Sequence, residues 1–98
     1  MTVTRYRKKP VEVEAVRWTS DNAAELQSFA GQHFDTIDPP DRGDDPDADA
    51  QIFDVTHSTW LPLHRGEWLI KGVRGEFYPC ADDVFQATYE RVPAGPAT

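Results

Sequence analysis

Residues 66–90, GEWLIKGVRGEFYPCADDVFQATYE, hold the densest run of aromatic and β-branched side chains in the chain. Trp68, Leu69 and Ile70 favour an extended backbone, and Gly72-Val73-Arg74-Gly75 separates them from a second strand-like run, Phe77-Tyr78. A glycine at each edge of the four-residue turn permits positive φ at little cost, so the stretch predicts a tight β-hairpin. Pro79 has no amide donor and is expected to end the second strand or lie at a sheet edge. Asp82 is expected to N-cap a short helical turn, about 83–87, that carries Val84 and Phe85. Residues 88–92, Thr-Tyr-Glu-Arg-Val, alternate again and predict a last strand returning to the sheet.

Upstream, residues 4–18 read as a long first strand broken in character by Pro10. Val11, Val13 and Ala15 alternate with Glu12 and Glu14, the pattern of a strand with one wet face. Val16 and Trp18 then place apolar groups on the glutamate face, which requires either a bulge or a covering element, and the covering element is preferred. Asn22, with Glu25 three residues on, has the form of a capping box for a helix over about 22–30. Ala23, Leu26, Phe29 and Ala30 form its apolar stripe, and Gly31 is placed to end it. Residues 51–55 and 60–63 flank the turn-like His57-Ser58-Thr59 and predict a second hairpin. The expected fold is α+β: a small, twisted, mainly antiparallel sheet of about five strands, able to curl towards a barrel, with one packed helix and a helical turn before the last strand.

Ninety-eight residues suffice for one modest core, and residues 1–92 are read as one domain. The net charge of −7 comes from 17 acidic and 10 basic residues, unevenly placed. Arg5, Arg7, Lys8, Lys9 and Arg17 lie in the first seventeen positions, whereas eight aspartates fall between residues 35 and 54. This predicts a dipolar molecule and argues against general nucleic-acid binding. Residues 35–50, rich in Asp and Pro, are expected to form a mobile acidic loop, and residues 93–98 a disordered tail. One cysteine cannot form an internal disulfide, and no leader or long apolar run is evident, so a reducing cytoplasm and no membrane span are expected.

Catalysis needs a nucleophile or base, and Cys80, His57, His64, Asp82 and Glu76 are the polar candidates. Cys80 precedes the predicted helical turn, whose dipole would favour a thiolate. The plainer reading, a small buried residue at a strand end, is preferred, so no catalytic residue is assigned. His57, His64 and Cys80 lack the paired spacing of a metal site, and neither a metal nor another cofactor is expected. A binding module is better supplied: Trp18, Trp60, Trp68 and Tyr78 offer aromatic faces, with Trp68 read more readily as core than Trp60, while Arg7, Lys8, Lys9, Lys71 and Arg74 offer cations for phosphate. Trp18, Trp60, Tyr78, Arg7, Lys8, Lys71 and Arg74 are the candidate ligand-binding residues. The alternative is a protein-directed inhibitor that uses acidic residues 35–54 against a basic host surface.

The segments YRKKPVEVEAVRW (6–18), GEWLIKG (66–72), GEFYPC (75–80), Phe85 and TYE (88–90) together resemble a widespread family of small, mostly uncharacterised proteins of tailed bacteriophages and prophages. The GEFYPC run is the most specific piece, and the aspartate-rich loop departs from the family's shorter connection. The resemblance implies a phage accessory protein acting in the cytoplasm of the infected bacterium. It assigns no chemistry. Combined with the aromatic and cationic inventory, the expectation is a non-enzymatic protein that binds a small anionic or nucleotide-like ligand, such as a counter-defence sponge. Assembly into a homo-oligomer would help so small a chain enclose that ligand.

Overall fold

The computed structural model describes residues 2–93. The expected disordered tail, residues 93–98, lies outside them from residue 94 on. In chain order the elements are β1 (Glu14–Arg17), α1 (Ala23–Ala30), β2 (Phe34–Thr36), β3 (Ala50–Asp54), β4 (Thr59–Leu63), β5 (Trp68–Lys71), β6 (Phe77–Cys80) and α2 (Asp82–Thr88). The strands form two antiparallel three-stranded sheets, β1-β5-β6 and β2-β3-β4, so the class is α+β. The described strands close no barrel, and they make two sheets where one was expected.

The organising hairpin forms as read, with Lys71 opposite Phe77 and Trp68 opposite Cys80. Its two glycines serve different purposes. Gly75 takes φ of 82°, whereas at Gly72 the issue is space: a Cβ there would displace the Glu76 carboxylate and lie 3.2 Å from the Tyr78 ring. Pro79 sits opposite Leu69 on β6, an edge strand, where its missing amide costs no ladder bond.

The first strand is much shorter than its alternation implied. Only Glu14–Arg17 pairs with β5. Among the described residues, the single backbone hydrogen bond within 2–13 is the local one from Val11 N to Lys9 O, at 2.8 Å. Pro10 removes a donor and four cations repel one another, and residues 2–13 form an arm outside the sheet. The pairing runs unbroken from Glu14 to Arg17, and the face of Val16 and Trp18 becomes the covered one.

That inner face meets the second sheet and α1. Trp18, Leu26, Ala30, Phe34, Ala50, Ile52, Leu63, Leu69 and Phe77 form the buried cluster, with Val16, Ala23, Phe29 and Leu61 packed against it. Leu26 and Ala30 deliver the apolar stripe of α1 to this core, and Gly31 ends the helix with φ of 59°. The capping box does not form. The Asn22 side chain instead braces the turn after β1, accepting from Thr19 N and donating to Arg17 O and Glu25, so its oxygen is not free to cap the helix.

Residues 35–50 carry more structure than their composition predicts. Phe34–Thr36 pairs with β3, Ile37 N donates to Asp49 O, and Pro39–Asp41 forms a 3-10 turn. Arg42 ties the segment internally through Ile37 O and Pro46 O, while Trp18 and Ser20 hold the Asp49 carboxylate. Some partners lie within the segment and others, Trp18 and Ser20, come from a distant part of the chain, and composition registers neither.

The predicted last strand is absent. α2 continues to Thr88, and Tyr89 follows in an extended conformation with no strand partner. Phe85 stacks on Trp68 and Tyr89 packs on Phe85, so this stretch lies over a sheet face instead of joining a sheet edge. Ala81 occupies the cap position, and Asp82 becomes the first helical residue because its carboxylate accepts from Trp68 Nε1. Among the described residues, no helix is long and apolar enough to cross a membrane.

Candidate functional site

Strand registry assigns Ala15, Arg17, Trp68, Ile70, Tyr78 and Cys80 to the outer face of the first sheet, away from the main core. Ile70 is fully buried yet lies outside the main cluster, so this face has a cover of its own. Trp68 and Phe85 lie parallel, with centroids 4.0 Å apart, and Tyr89 packs against Phe85 at 5.1 Å. Trp68 Nε1 donates to Asp82 Oδ1 at 2.8 Å, and Arg17 reaches the same carboxylate at 3.6 Å. One aromatic stack and one carboxylate therefore fix α2 on the sheet.

Between this assembly and the arm runs an open groove of about 1130 Å³. Ala15 and Trp68 line it, with residues 8–13 along one side and residues of α2 and 88–92 along the other. Lys8 bridges the two sides. Its Nζ donates to the Tyr89 hydroxyl at 3.0 Å and sits 4.2 Å from the centroid of that ring. Lys9 and Arg91 add cations to the lining, and Glu12 and Glu90 add carboxylates. The Tyr78 and Tyr89 hydroxyl oxygens are 3.4 Å apart. Burial first, then the bond to Tyr89, pushes the Tyr78 phenol up; Tyr89 is lowered by the bonds from Tyr78 and Lys8.

The structure brings together only part of the predicted set. Lys8 and Tyr78 meet through Tyr89. Trp18 is 2 % exposed in the core, with its indole N–H given to Asp49, and it has no face left for a ligand. Trp60 packs edge-on against Phe53 in the second sheet and is absent from the groove lining. Lys71 lines a smaller neighbouring hollow of about 420 Å³ beside the hairpin turn. Arg74 lies on that turn, exposed, and Arg7 is exposed on the arm. The groove also brings in Phe85, Tyr89 and Arg91, which the sequence does not mark as ligand contacts, and Trp68, an aromatic face that the sequence assigns more readily to the core. The spacing of Phe85 and Tyr89, one helical turn apart, was the available signal, but reading 88–92 as a strand concealed it.

Cys80 is half-buried on this face, and its thiol is pushed up by burial and by the negative charges of Asp83 and Glu67. The helix start does not produce the thiolate considered from sequence. Among the described residues, no group of three or more His, Cys, Asp and Glu is arranged to hold a metal ion.

Comparison with family models, curated proteins and solved structures finds no match. The groove must therefore be read from its own chemistry.

Proposed function

We propose that the protein binds rather than catalyses, and that the groove between the arm and α2 takes a small anionic, nucleotide-like ligand. The supporting observation is the Lys8 ammonium held against Tyr89 at the rim of the Trp68-Phe85-Tyr89 wall. Stacking a base on an aromatic side chain contributes about 1–3 kcal/mol. Lys8, Lys9 and Arg91 are suited to a phosphate, and Glu12 and Glu90 to accept from hydroxyl or amino groups. The groove is slightly larger than the usual range of roughly 300–1,000 Å³ for small-molecule sites, and its open side leaves room for a second subunit to complete it.

Taken with the family resemblance, this is a phage accessory protein working in the cytoplasm of the infected host, where it sequesters a host metabolite or a defence signal. The test is to incubate purified protein with lysates of infected and uninfected cells, wash, denature, and analyse the released molecules by mass spectrometry. A nucleotide recovered near stoichiometrically from the parent, lost from Lys8→Ala and Phe85→Ala and kept by Trp60→Ala and Arg74→Ala, supports the groove. A turned-over product that requires Cys80 makes the protein an enzyme instead.

A second reading is supported by the exposed side chains of Asp35, Asp38, Asp41, Asp44 and Asp47, none of which forms an ion pair among the described residues. They would dock on a basic host protein. Retention of a host protein on the immobilised chain, abolished when residues 38–47 are replaced and with no small molecule released, favours this reading over the groove.

A further inference from the structure

His64, just after β4, stands between two carboxylates. Its Nε2 lies 2.7 Å from Asp45 Oδ2 and its Nδ1 lies 2.9 Å from Glu67 Oε1. A carboxylate only accepts, so each short contact needs an N–H on the ring, and a neutral imidazole carries one. Both bonds together require the imidazolium. Glu67 Oε1 also accepts from the His64 backbone N–H at 2.6 Å, so this carboxylate stays beside the ring whatever the ring's protonation.

Asp45 is held differently. It belongs to residues 38–47, a segment anchored at its base by Ile37 N to Asp49 O and by Trp18 to Asp49. The Arg42 side chain bonds, among the described residues, to Ile37 O and Pro46 O, within or next to the segment. Among the described residues, the His64–Asp45 bond is the one side-chain hydrogen bond joining 38–47 to a residue beyond 37–49.

We propose that His64 is a proton-operated clasp: protonated, it holds residues 38–47 against the turn between β4 and β5, and deprotonated, it releases them. Loss of the proton leaves a ring lone pair facing a carboxylate oxygen at less than 3 Å, and the contact that can open is the one to Asp45, because Glu67 keeps its bond from the His64 backbone N–H whereas, among the described residues, Asp45 has no second bond across to this turn. The charged groups facing the ring are Asp45 and Glu67, and Glu67 also acts on the Cys80 thiol. Arg65 is exposed, and among the described residues no Lys or Arg pairs with either carboxylate. The Asp45 bond is foremost in raising the His64 pKa; burial opposes it, and Glu67 adds to the rise.

The sign follows. Because the folded-state pKa lies above the ordinary value of about 6.5, the clasp is closed below that value and opens as pH rises through the raised pKa. The transition lies above the ordinary histidine value, and opening frees the exposed Asp38, Asp41, Asp44 and Asp47 from the turn.

The experiment pairs an NMR titration of the His64 ring with amide hydrogen exchange of residues 38–48, from about pH 5.5 to about pH 8.5, corrected for intrinsic exchange. Protection of the segment is expected to fall severalfold at the His64 midpoint while the core strands keep theirs. Asp45→Asn should lower that midpoint and flatten the pH dependence, and His64→Leu, which has no donor for Asp45, should exchange at every pH like the parent at high pH. Segment protection indifferent to His64 protonation, or a midpoint unmoved by Asp45→Asn, overturns the proposal.

Discussion

The Trp68 indole and the Phe85 ring lie parallel, with centroids 4.0 Å apart and planes inclined by 8°. No residue of α2 is fully buried, so this stack, with the Asp82 carboxylate at the indole N–H, is the principal attachment of the helix. Phe85→Ala should cost about 2 kcal/mol, below the cost of removing a fully buried phenylalanine. Urea denaturation gives the loss, and the far-UV spectrum should lose α2 while the sheets persist.

Leu26 is fully buried in the core cluster, and Leu26→Asp places a carboxylate there without a partner. The variant should be unfolded or lose more than about 4 kcal/mol. A thermal melt matching the parent would show that α1 does not pack as described.

Much of this arrangement is legible in the sequence, and the failures share a cause. Both hairpins and α1 are set by local signals: turn glycines, β-branched runs and an apolar stripe at helical spacing. β1 is shorter than its alternation implies, because alternation at Val11, Val13 and Ala15 marks a preference for extension, while pairing also needs a partner strand, and the four residues of β5 supply one only to Glu14–Arg17. Residues 88–92 alternate just as well, yet Phe85 and Tyr89 find Trp68 first. The groove was half visible for that reason: Lys8 and Tyr78 could be named from residue type, but their meeting at Tyr89 spans 81 positions and no local rule reports it.

Asp49 is the pivot of the acidic segment. Burial would raise its pKa, but the hydrogen bonds from Ser20 and Trp18 outweigh burial and lower it. A lowered folded-state pKa gives stability that is present above the unfolded value of about 3.9 and lost as pH falls through the folded value. Trp18→Phe keeps most of the ring but removes the donor. It should cost about 1–2 kcal/mol near neutral pH and progressively less as pH falls below the unfolded value of about 3.9, as followed by denaturant midpoints across the acid range.

The segment should divide sharply in its tolerance. Replacing residues 38–47 by a short Gly-Ser linker removes one long-range hydrogen bond, to His64, and should cost about 1 kcal/mol. Extending the replacement to residue 50 also removes buried Ala48 and Ala50 and the Asp49 anchor, and should cost several times as much. Equal melting of the two variants would contradict the anchoring role of Asp49.

The groove itself is tested most directly by titrating isotope-labelled protein with a panel of nucleoside phosphates and mapping the amide shifts. Saturable shifts concentrated in residues 8–15, 68 and 82–92, weakened by added salt and abolished by Lys8→Ala, are the predicted result. Shifts centred on Trp60 or Arg74, or none with any member of the panel, would contradict the assignment of the ligand site to the groove between the arm and α2.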